Sequence, residues 1–261
     1  MYNNLRKYGK LPFQIALIHG GPGAPGELAP LARELAKDFG VLEPLQTQPT
    51  LEGQVQELKD IIENNGEIPL VLIGFSWGAM LSFIVTARYP SLVKKLIMIS
   101  SAIFDDKYSN SMSETRLKRL STEEKNKIND WQAQLDNPEI SDKNKILSQL
   151  AEFDFKADCY APLPYQTEIL EYQFDIHQSV WSDAKKFRQS GALIQLGRQI
   201  QCPVVAIHGD FDSHPSDGVK IPLASVIKDF QFILLEKCGH YPWIEKFAKD
   251  VFIRIIKSET S

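Results

Sequence analysis

This chain predicts an α/β fold with a doubly wound, mostly parallel sheet and an inserted helical lid, and three observations carry that expectation. Short strand-like runs recur at Ile15 to Ile18, Leu70 to Ile73, Lys95 to Ile99, Val204 to Ile207 and Phe232 to Leu235. Between the first of these runs lie segments with apolar residues every three or four positions, the spacing of helices that bury one face. Strands alternating with helices favour a parallel sheet covered on both sides. From about 101 to 199 the strand-like runs stop, charge density rises and helical signals dominate. The expected division is therefore a core of residues 1–100 and 200–261 with a lid of residues 101–199.

Taken in order, Ile15 to Ile18 opens into the glycine-rich loop His19-Gly20-Gly21-Pro22-Gly23. Leu28, Leu31, Leu35 and Phe39 then predict an amphipathic helix stopped by Gly40. Leu51, Val55, Leu58, Ile61 and Ile62 predict a second helix, ended by Asn65-Gly66, with the next strand beginning at Pro69. Leu70 to Ile73 runs directly into Gly74-Phe75-Ser76-Trp77-Gly78 and then the apolar segment Ala79 to Val85, a strand, a sharp turn and a helix. Tyr89-Pro90 breaks that helix ahead of Lys95 to Ile99. In the helical region Ser121 to Glu124 has capping-box spacing, and Ile128, Trp131 and Leu135 form one apolar face before the Asn137-Pro138 break. Ile146, Leu147, Leu150 and Phe153 belong to another helix, and Val180, Ala184 and Phe187 to a later one. Val204 to Ile207 leads into His208-Gly209-Asp210-Phe211-Asp212, and Phe232 to Leu235 leads into Cys238-Gly239-His240. Ile244, Phe247, Val251 and Ile255 predict a C-terminal helix packed on the sheet.

Composition sets limits. A chain of 261 residues with 43% hydrophobic content can bury a substantial core as one domain with an insertion. A formal net charge of -4 offers no basic surface for nucleic acid. No run approaches the ~18 apolar residues of a membrane span, and the polar start, Met1 to Lys10, does not read as a secretory signal. A cytoplasmic location is the expectation. Cys159, Cys202 and Cys238 are too few and too scattered for a disulfide framework or a zinc site. The expected partner is a small-molecule or short-peptide substrate, and oligomeric state is not legible.

The chemistry gathers where strands end. Serine attacks a carbonyl only when a neighbouring base takes its proton and a third group holds that base. Ser76 is the candidate nucleophile, standing on a turn tight enough to require small flanking residues. Of five histidines, His19, His177, His208, His214 and His240, His19 and His208 read as braces beside Gly20 and Gly209. His240 and His214 remain as candidate bases, and Asp210 or Asp212 as the orienting acid. Backbone N–H groups for an oxyanion would come from Trp77 and from Gly21, with Gly20 as the alternative. Such a site needs no metal or organic cofactor.

The order glycine loop, Ser, Asp, His resembles the α/β-hydrolase superfamily, over most of residues 13 to 255 with a gap in the middle. The resemblance implies a lid over the elbow. It selects His240 in the Cys-Gly-His loop as general base and Asp212, three residues after Gly209, as orienting acid, with Asp210 bracing the turn. More narrowly, His-Gly-Gly-Pro-Gly with a tryptophan after the serine is similar to the proline iminopeptidases, in which lid acids hold the substrate's free amino group. Glu168, Glu171 and Asp175 are the residues this implies here. Two departures stand against that branch: Phe75 replaces a glycine, and Glu43-Pro44-Leu45-Gln46-Thr47 replaces an Asp-x-Arg-Gly loop. The expected activity is hydrolysis of a small amide or ester through an acyl-enzyme on Ser76. A carboxylesterase or thioesterase is the alternative, and a non-catalytic small-ligand binder the third reading.

Overall fold

The computed structural model describes residues 4–261. In chain order its strands and helices are β1 (Leu5–Tyr8), β2 (Phe13–Ile18), α1 (Ala29–Leu35), β3 (Gly40–Pro44), α2 (Leu51–Asn65), β4 (Leu70–Phe75) and α3 (Trp77–Arg88). They continue with β5 (Val93–Ile99), α4 (Ser109–Arg119), α5 (Thr122–Asp136), α6 (Lys143–Asp158), α7 (Phe174–Gln189) and α8 (Ala192–Gln195). The chain closes with β6 (Val204–Gly209), α9 (Asp217–Val226), β7 (Phe230–Leu235) and α10 (Lys249–Thr260). The seven strands form one sheet in the order β1-β3-β2-β4-β5-β6-β7, parallel except for β1 on β3.

The apolar runs divide by the two-residue period of a strand. Ala16, Ile18, Leu72, Leu96, Met98, Val204 and Ala206 point into a core with α2, α3 and α9. Ile15, Leu17, Val71, Ile73, Ile97, Ile99, Val205 and Ile207 point the other way, onto α1 and α10. Both faces are covered, so these strands read as continuous apolar runs rather than alternating ones.

The sheet order also locates the site. The chain leaves β2 through α1 to β3 on one side, then crosses back through α2 to β4 on the other. Open α/β sheets bind ligands at this reversal, beyond the C-terminal ends of the strands. Here that crevice lies between the loop after β2 and the turn after β4.

Three expectations are corrected. The first helix ends at Leu35, and Gly40 opens β3 rather than stopping a helix. β1 was not expected: it is four residues, LRKY, partly exposed, and its Arg6 and Tyr8 face the buried Glu43 of β3, at 3.6 Å and 2.7 Å. At the C-terminus, Ile244 lies in a short turn and α10 buries Phe252 and Ile256, whereas Phe247 and Val251 are 52% and 40% exposed. The residues ahead of α10 are held in a separate turn by buried Glu245, so the helix starts in a different phase from the one the spacing predicts. Phe252 and Ile256, fully buried, each contribute roughly 2 kcal/mol of apolar burial. Among the described residues, no helix is long and apolar enough to cross a membrane.

Candidate active site

Ser76 sits between β4 and α3 at φ 52°, ψ -115°, a conformation costing roughly 1–3 kcal/mol in a non-glycine residue. The surroundings enforce it. A Cβ on Gly74 would lie 2.2 Å from the Gly78 carbonyl oxygen, and one on Gly78 would lie 2.3 Å from that of Ile18. Only glycine lets α3 approach β4 and β2 this closely. The Ser76 N–H donates to the Ile99 carbonyl at 2.9 Å, which ties the turn to β5. Phe75, where the narrower family has glycine, is buried with its ring 4.8 Å from His240 and 4.7 Å from Trp243. The Trp77 side chain is wholly buried too: its Nε1–H donates to Gln54 of α2 at 2.9 Å, and its ring meets Trp181 of α7 edge-on.

At the other end of the sheet, His240 and Asp212 meet, with Nδ1 and Oδ2 2.8 Å apart. A carboxylate only accepts, so Nδ1 carries the proton and Nε2 is left with its lone pair. Backbone bonds bring the two loops together, Phe211 N–H donating to Cys238 and Asp210 N–H to Leu235, each at 2.9 Å. The His240 N–H donates to the Asp158 carbonyl at the end of α6, also at 2.9 Å. A Cβ on Gly239 would lie 2.0 Å from that same oxygen. Fully buried Glu245 completes the brace, accepting from the N–H groups of Gly239, Tyr160 and Ala161 at 2.7–2.9 Å.

Electrostatics follow from this geometry. Burial pushes the Asp212 carboxyl up, but His240, His208 and His214 outweigh it and hold the group well below the usual carboxylate range. Burial pulls His240 down, and the charge and hydrogen bond of Asp212 more than reverse it. The residue His240 is therefore a stronger base than a free imidazole. Asp210 stands apart on the exposed side, accepting from the Cys238 N–H at 3.1 Å, the bracing role expected for it.

The remaining histidines brace. His19 is buried with Nδ1 2.7 Å from the Gly20 carbonyl, and burial lowers it to about 4. His208 Nε2 lies 2.9 Å from the His214 carbonyl. His177 of α7 reaches the Pro22 carbonyl at 3.1 Å. His214 does more: its Nδ1 is 3.0 Å from the second oxygen of Asp212, and its ring stacks on His240 at 4.4 Å. Among the described residues, Asp212, His214 and His240 are the one group whose donor atoms come close enough to suggest a metal. Both ring Nδ1 atoms are turned onto the carboxylate, which is an acid with two imidazole donors and not an open ligand set.

In the loop after β2 the Gly20 N–H is already engaged, donating to Glu27 Oε2 at 3.1 Å, while Gly21 lines the cavity with Ser76. Of the two glycines, Gly21 is the one at the cavity. Glu27 was missed by sequence reasoning. It follows the glycine loop in Gly23-Ala24-Pro25-Gly26-Glu27, where no periodicity marks it. It is 7% exposed, and burial raises it to about 7 against the opposing pull of His240 and the Gly20 N–H.

A cavity of about 600 Å³ joins these groups. Ser76, His240, His214, Gly21 and Glu27 form its floor, and Ile128, Leu135, Leu147, Leu150 and Phe155 from α5 and α6 supply an apolar wall. Its charged wall residues include Arg116, Glu152 and Asp154. Arg116 is clamped by Asp154 at 2.9 Å and by fully buried Asp158 at 2.5 Å. The chain before α7 is fastened to the glycine loop by Leu170 N–H to Pro25 and Gln173 N–H to Gly23, both 2.9 Å. None of Glu168, Glu171 and Asp175 is among the cavity residues. Glu168 pairs with Arg33 outside, Glu171 accepts from Gln173, and Asp175 is exposed in the first turn of α7. The acids that do face the cavity come from α6 and the glycine loop. A second hollow, of about 650 Å³, is lined by Arg88, Pro90, Cys202 and Asp229 and lies at the N-terminal edge of the strands, away from Ser76.

Known proteins share this framework. Human epoxide hydrolase 4 is 38% identical over 50 residues, which is 19% of this chain and only 14% of that protein. The 2-hydroxy-6-oxo-2,4-heptadienoate hydrolase of Pseudomonas putida is 23% identical over 256 residues, covering 93% of this chain and 87% of that one. A proline iminopeptidase of Lactobacillus delbrueckii subsp. bulgaricus is 24% identical over 267 residues, with 90% and 86% covered. The crystal structure of VinJ superposes with a TM-score of 0.66 at 18% identity, covering 97% of this chain and 93% of that one, a likeness of fold. The family model for the alpha/beta hydrolase fold matches residues 47–247, and the chain belongs to that family.

Proposed function

We propose that this protein is a serine hydrolase that cleaves a carboxylic ester or amide through an acyl-enzyme on Ser76. The observation that carries the reading is His240, held by Asp212 at 2.8 Å, lining the same cavity as a serine held at φ 52°. In acylation, His240 Nε2 takes the Ser76 proton as Oγ adds to the carbonyl carbon, then gives it to the departing alcohol or amine. In deacylation water repeats the sequence and releases the acid. Asp212 holds the ring and stabilises the imidazolium without taking its proton. The N–H groups of Gly21 and Trp77 receive the oxyanion, each worth about 3 kcal/mol to the transition state.

The helical segment of residues 101–199 acts as the lid. Its apolar wall suits a hydrophobic acyl group, and the placement of Glu168, Glu171 and Asp175 off the cavity removes the support those residues gave to a free-amine substrate. The apolar wall favours an ester or thioester, and the acids that do line the cavity, Glu27, Glu152 and Asp154, make the prolyl anilide the competing substrate to measure. The test is kcat/KM on p-nitrophenyl acyl esters and on prolyl and other aminoacyl p-nitroanilides, with Ser76→Ala alongside. Ester cleavage that falls at least ~10⁴-fold in Ser76→Ala supports the reading. Prolyl anilide as the much better substrate would return the aminopeptidase specificity, and turnover that survives Ser76→Ala would overturn the mechanism.

A further inference from the structure

One carboxylate here serves two stacked imidazoles. Asp212 gives Oδ2 to His240 Nδ1 at 2.8 Å and Oδ1 to His214 twice, to its backbone N–H at 2.9 Å and its ring Nδ1 at 3.0 Å. The two rings lie 4.4 Å apart and within 15° of parallel. His208 Nε2 approaches Oδ2 at 3.3 Å, but its better partner is the His214 carbonyl at 2.9 Å, which only accepts. That bond fixes the backbone from which the His214 ring projects. Both stacked rings thus carry a proton on Nδ1 and a lone pair on Nε2.

A carboxylate that already accepts two N–H bonds on one oxygen has less charge to hold a proton on the partner of its other oxygen. Stacked rings at this distance also resist becoming cations together, because like charges raise each other's cost of ionisation in a buried site. We propose that His214 is a positioning residue which, by occupying the second oxygen of Asp212, weakens that carboxylate's hold on the His240 proton and keeps the base free at lower pH. The inference rests on the proposed role of His240 as the base.

The other groups facing the pair do not do this work. Asp158 and Asp154 of α6 draw His240 toward its charged form, and Glu27 of the glycine loop is attracted to it. Arg116 of α4 opposes the charging of both rings. Tyr241 and Phe75 only pack against His240. Of these, His214 alone shares the acid and the ring face of His240. Burial and His240 together hold it below the usual imidazole range, so it is the neutral member of the pair.

The experiment replaces the ring donor and keeps the ring. In His214→Phe the stacking surface remains and the Nδ1–H is lost, so the acid limb of the kcat/KM profile moves up by about 0.5 to 1 pH unit. His214→Asn puts an amide donor back beside Oδ1 and returns the limb toward that of the parent. A parallel measurement needs no substrate: the titration of the His240 ring nitrogens by NMR in the Ser76→Ala background, with and without His214→Phe. The same upward shift there supports the proposal even if the hydrolase reading fails on every ester and anilide. A His240 midpoint that moves by less than about 0.2 unit in His214→Phe, or that stays displaced in His214→Asn, overturns it and leaves His214 a packing residue. If His214→Phe does not fold, His214→Leu, which also lacks the donor, is read by the same titration: an upward shift of the His240 midpoint supports the proposal, and a shift of less than about 0.2 unit overturns it.

Discussion

The C-terminal edge of the sheet and the helical segment above it are built by different means. Along the sheet edge His19, Ser76, Asp212 and His240 are all at most 8% exposed, and α3 buries every residue from Trp77 to Ala87. In the helical segment α4 and α5 contain no buried residue. They are held by the Trp131–Phe153 stack, the Lys156–Glu124 ion pair and the Arg116 clamp on Asp158. Few buried contacts means a low local cost of opening, whereas the sheet edge opens only with the core. On the proposed mechanism the difference is a division of labour: bond-making groups stand where backbone sterics fix them, and the wall that would select a substrate stands where packing is sparse.

That contrast can be broken first at the acid. Asp212→Asn should lower kcat/KM by ~10³- to 10⁴-fold, because the amide no longer holds the His240 tautomer. Asp210→Asn should cost less than about tenfold, since its carboxylate braces only the Cys238 N–H. Steady-state kinetics on an ester rank the two, and the reverse order would move the orienting role to Asp210.

Glu27 tests whether the sheet edge stores an electrostatic cost. Its carboxyl is raised from 4.5 to about 7 by burial, so the folded protein binds this proton more tightly than the unfolded chain does. Its contribution is fully present below the unfolded value and is lost as pH rises through about 7. Glu27→Gln cannot ionise and its amide oxygen can still accept from Gly20. It should therefore stabilise the protein by up to about 3 kcal/mol at about pH 8 and by little at about pH 4. Urea denaturation at both pH values checks this, and an equal effect at the two would show that Glu27 ionises without penalty.

What the sequence made legible follows the same line. Strands β2, β4, β5 and β6 announced themselves because both faces are largely buried, β7 because its half-buried edge is still an apolar run, and Gly74 and Gly78 were readable because a Cβ at either would meet backbone within 2.3 Å. β1 was not, because four partly exposed residues carry no period. The Ser121 cap was legible as a local hydrogen-bond pattern, and the structure has both of its bonds. Glu27 and Glu245 were not, because Glu27 accepts from a backbone N–H within its own irregular loop and Glu245 from N–H groups of other loops, and neither kind of contact leaves a spacing behind. The resemblance named Glu168, Glu171 and Asp175 as the acids implied for an amine, and none of them lines the cavity. Asp175 lies in α7, where helical periodicity does not say which neighbour a polar face meets, and Glu168 and Glu171 lie in the irregular chain before it, where there is no periodicity to read.

On the proposed reading, selectivity belongs to the sparsely packed wall. Leu147 of α6 lines the cavity, and Leu147→Trp should narrow it, shifting the ratio of kcat/KM between long and short acyl esters by about tenfold toward the short ones. An unchanged ratio would mean that the acyl group lies elsewhere, against Tyr165 and Tyr172 instead of between α5 and α6.

The smallest effect is expected where the family resemblance pointed most directly. Glu168 faces Arg33, and the two side chains are 37% and 52% exposed, so solvent screens the pair and its loss in Glu168→Gln should change stability by less than about 1 kcal/mol. Neither KM for esters nor the ratio of ester to prolyl-anilide cleavage should move, because the side chain is not at the cavity. Arg33→Gln, which removes the other half of the pair, should behave the same way in thermal melts and in kinetics. A selective loss of anilide cleavage in Glu168→Gln, with ester cleavage retained, would instead mean that the segment carrying residue 168 swings over Ser76 when substrate binds. Selectivity would then belong to a conformation of the helical segment other than the one in which its chain is fastened to the glycine loop.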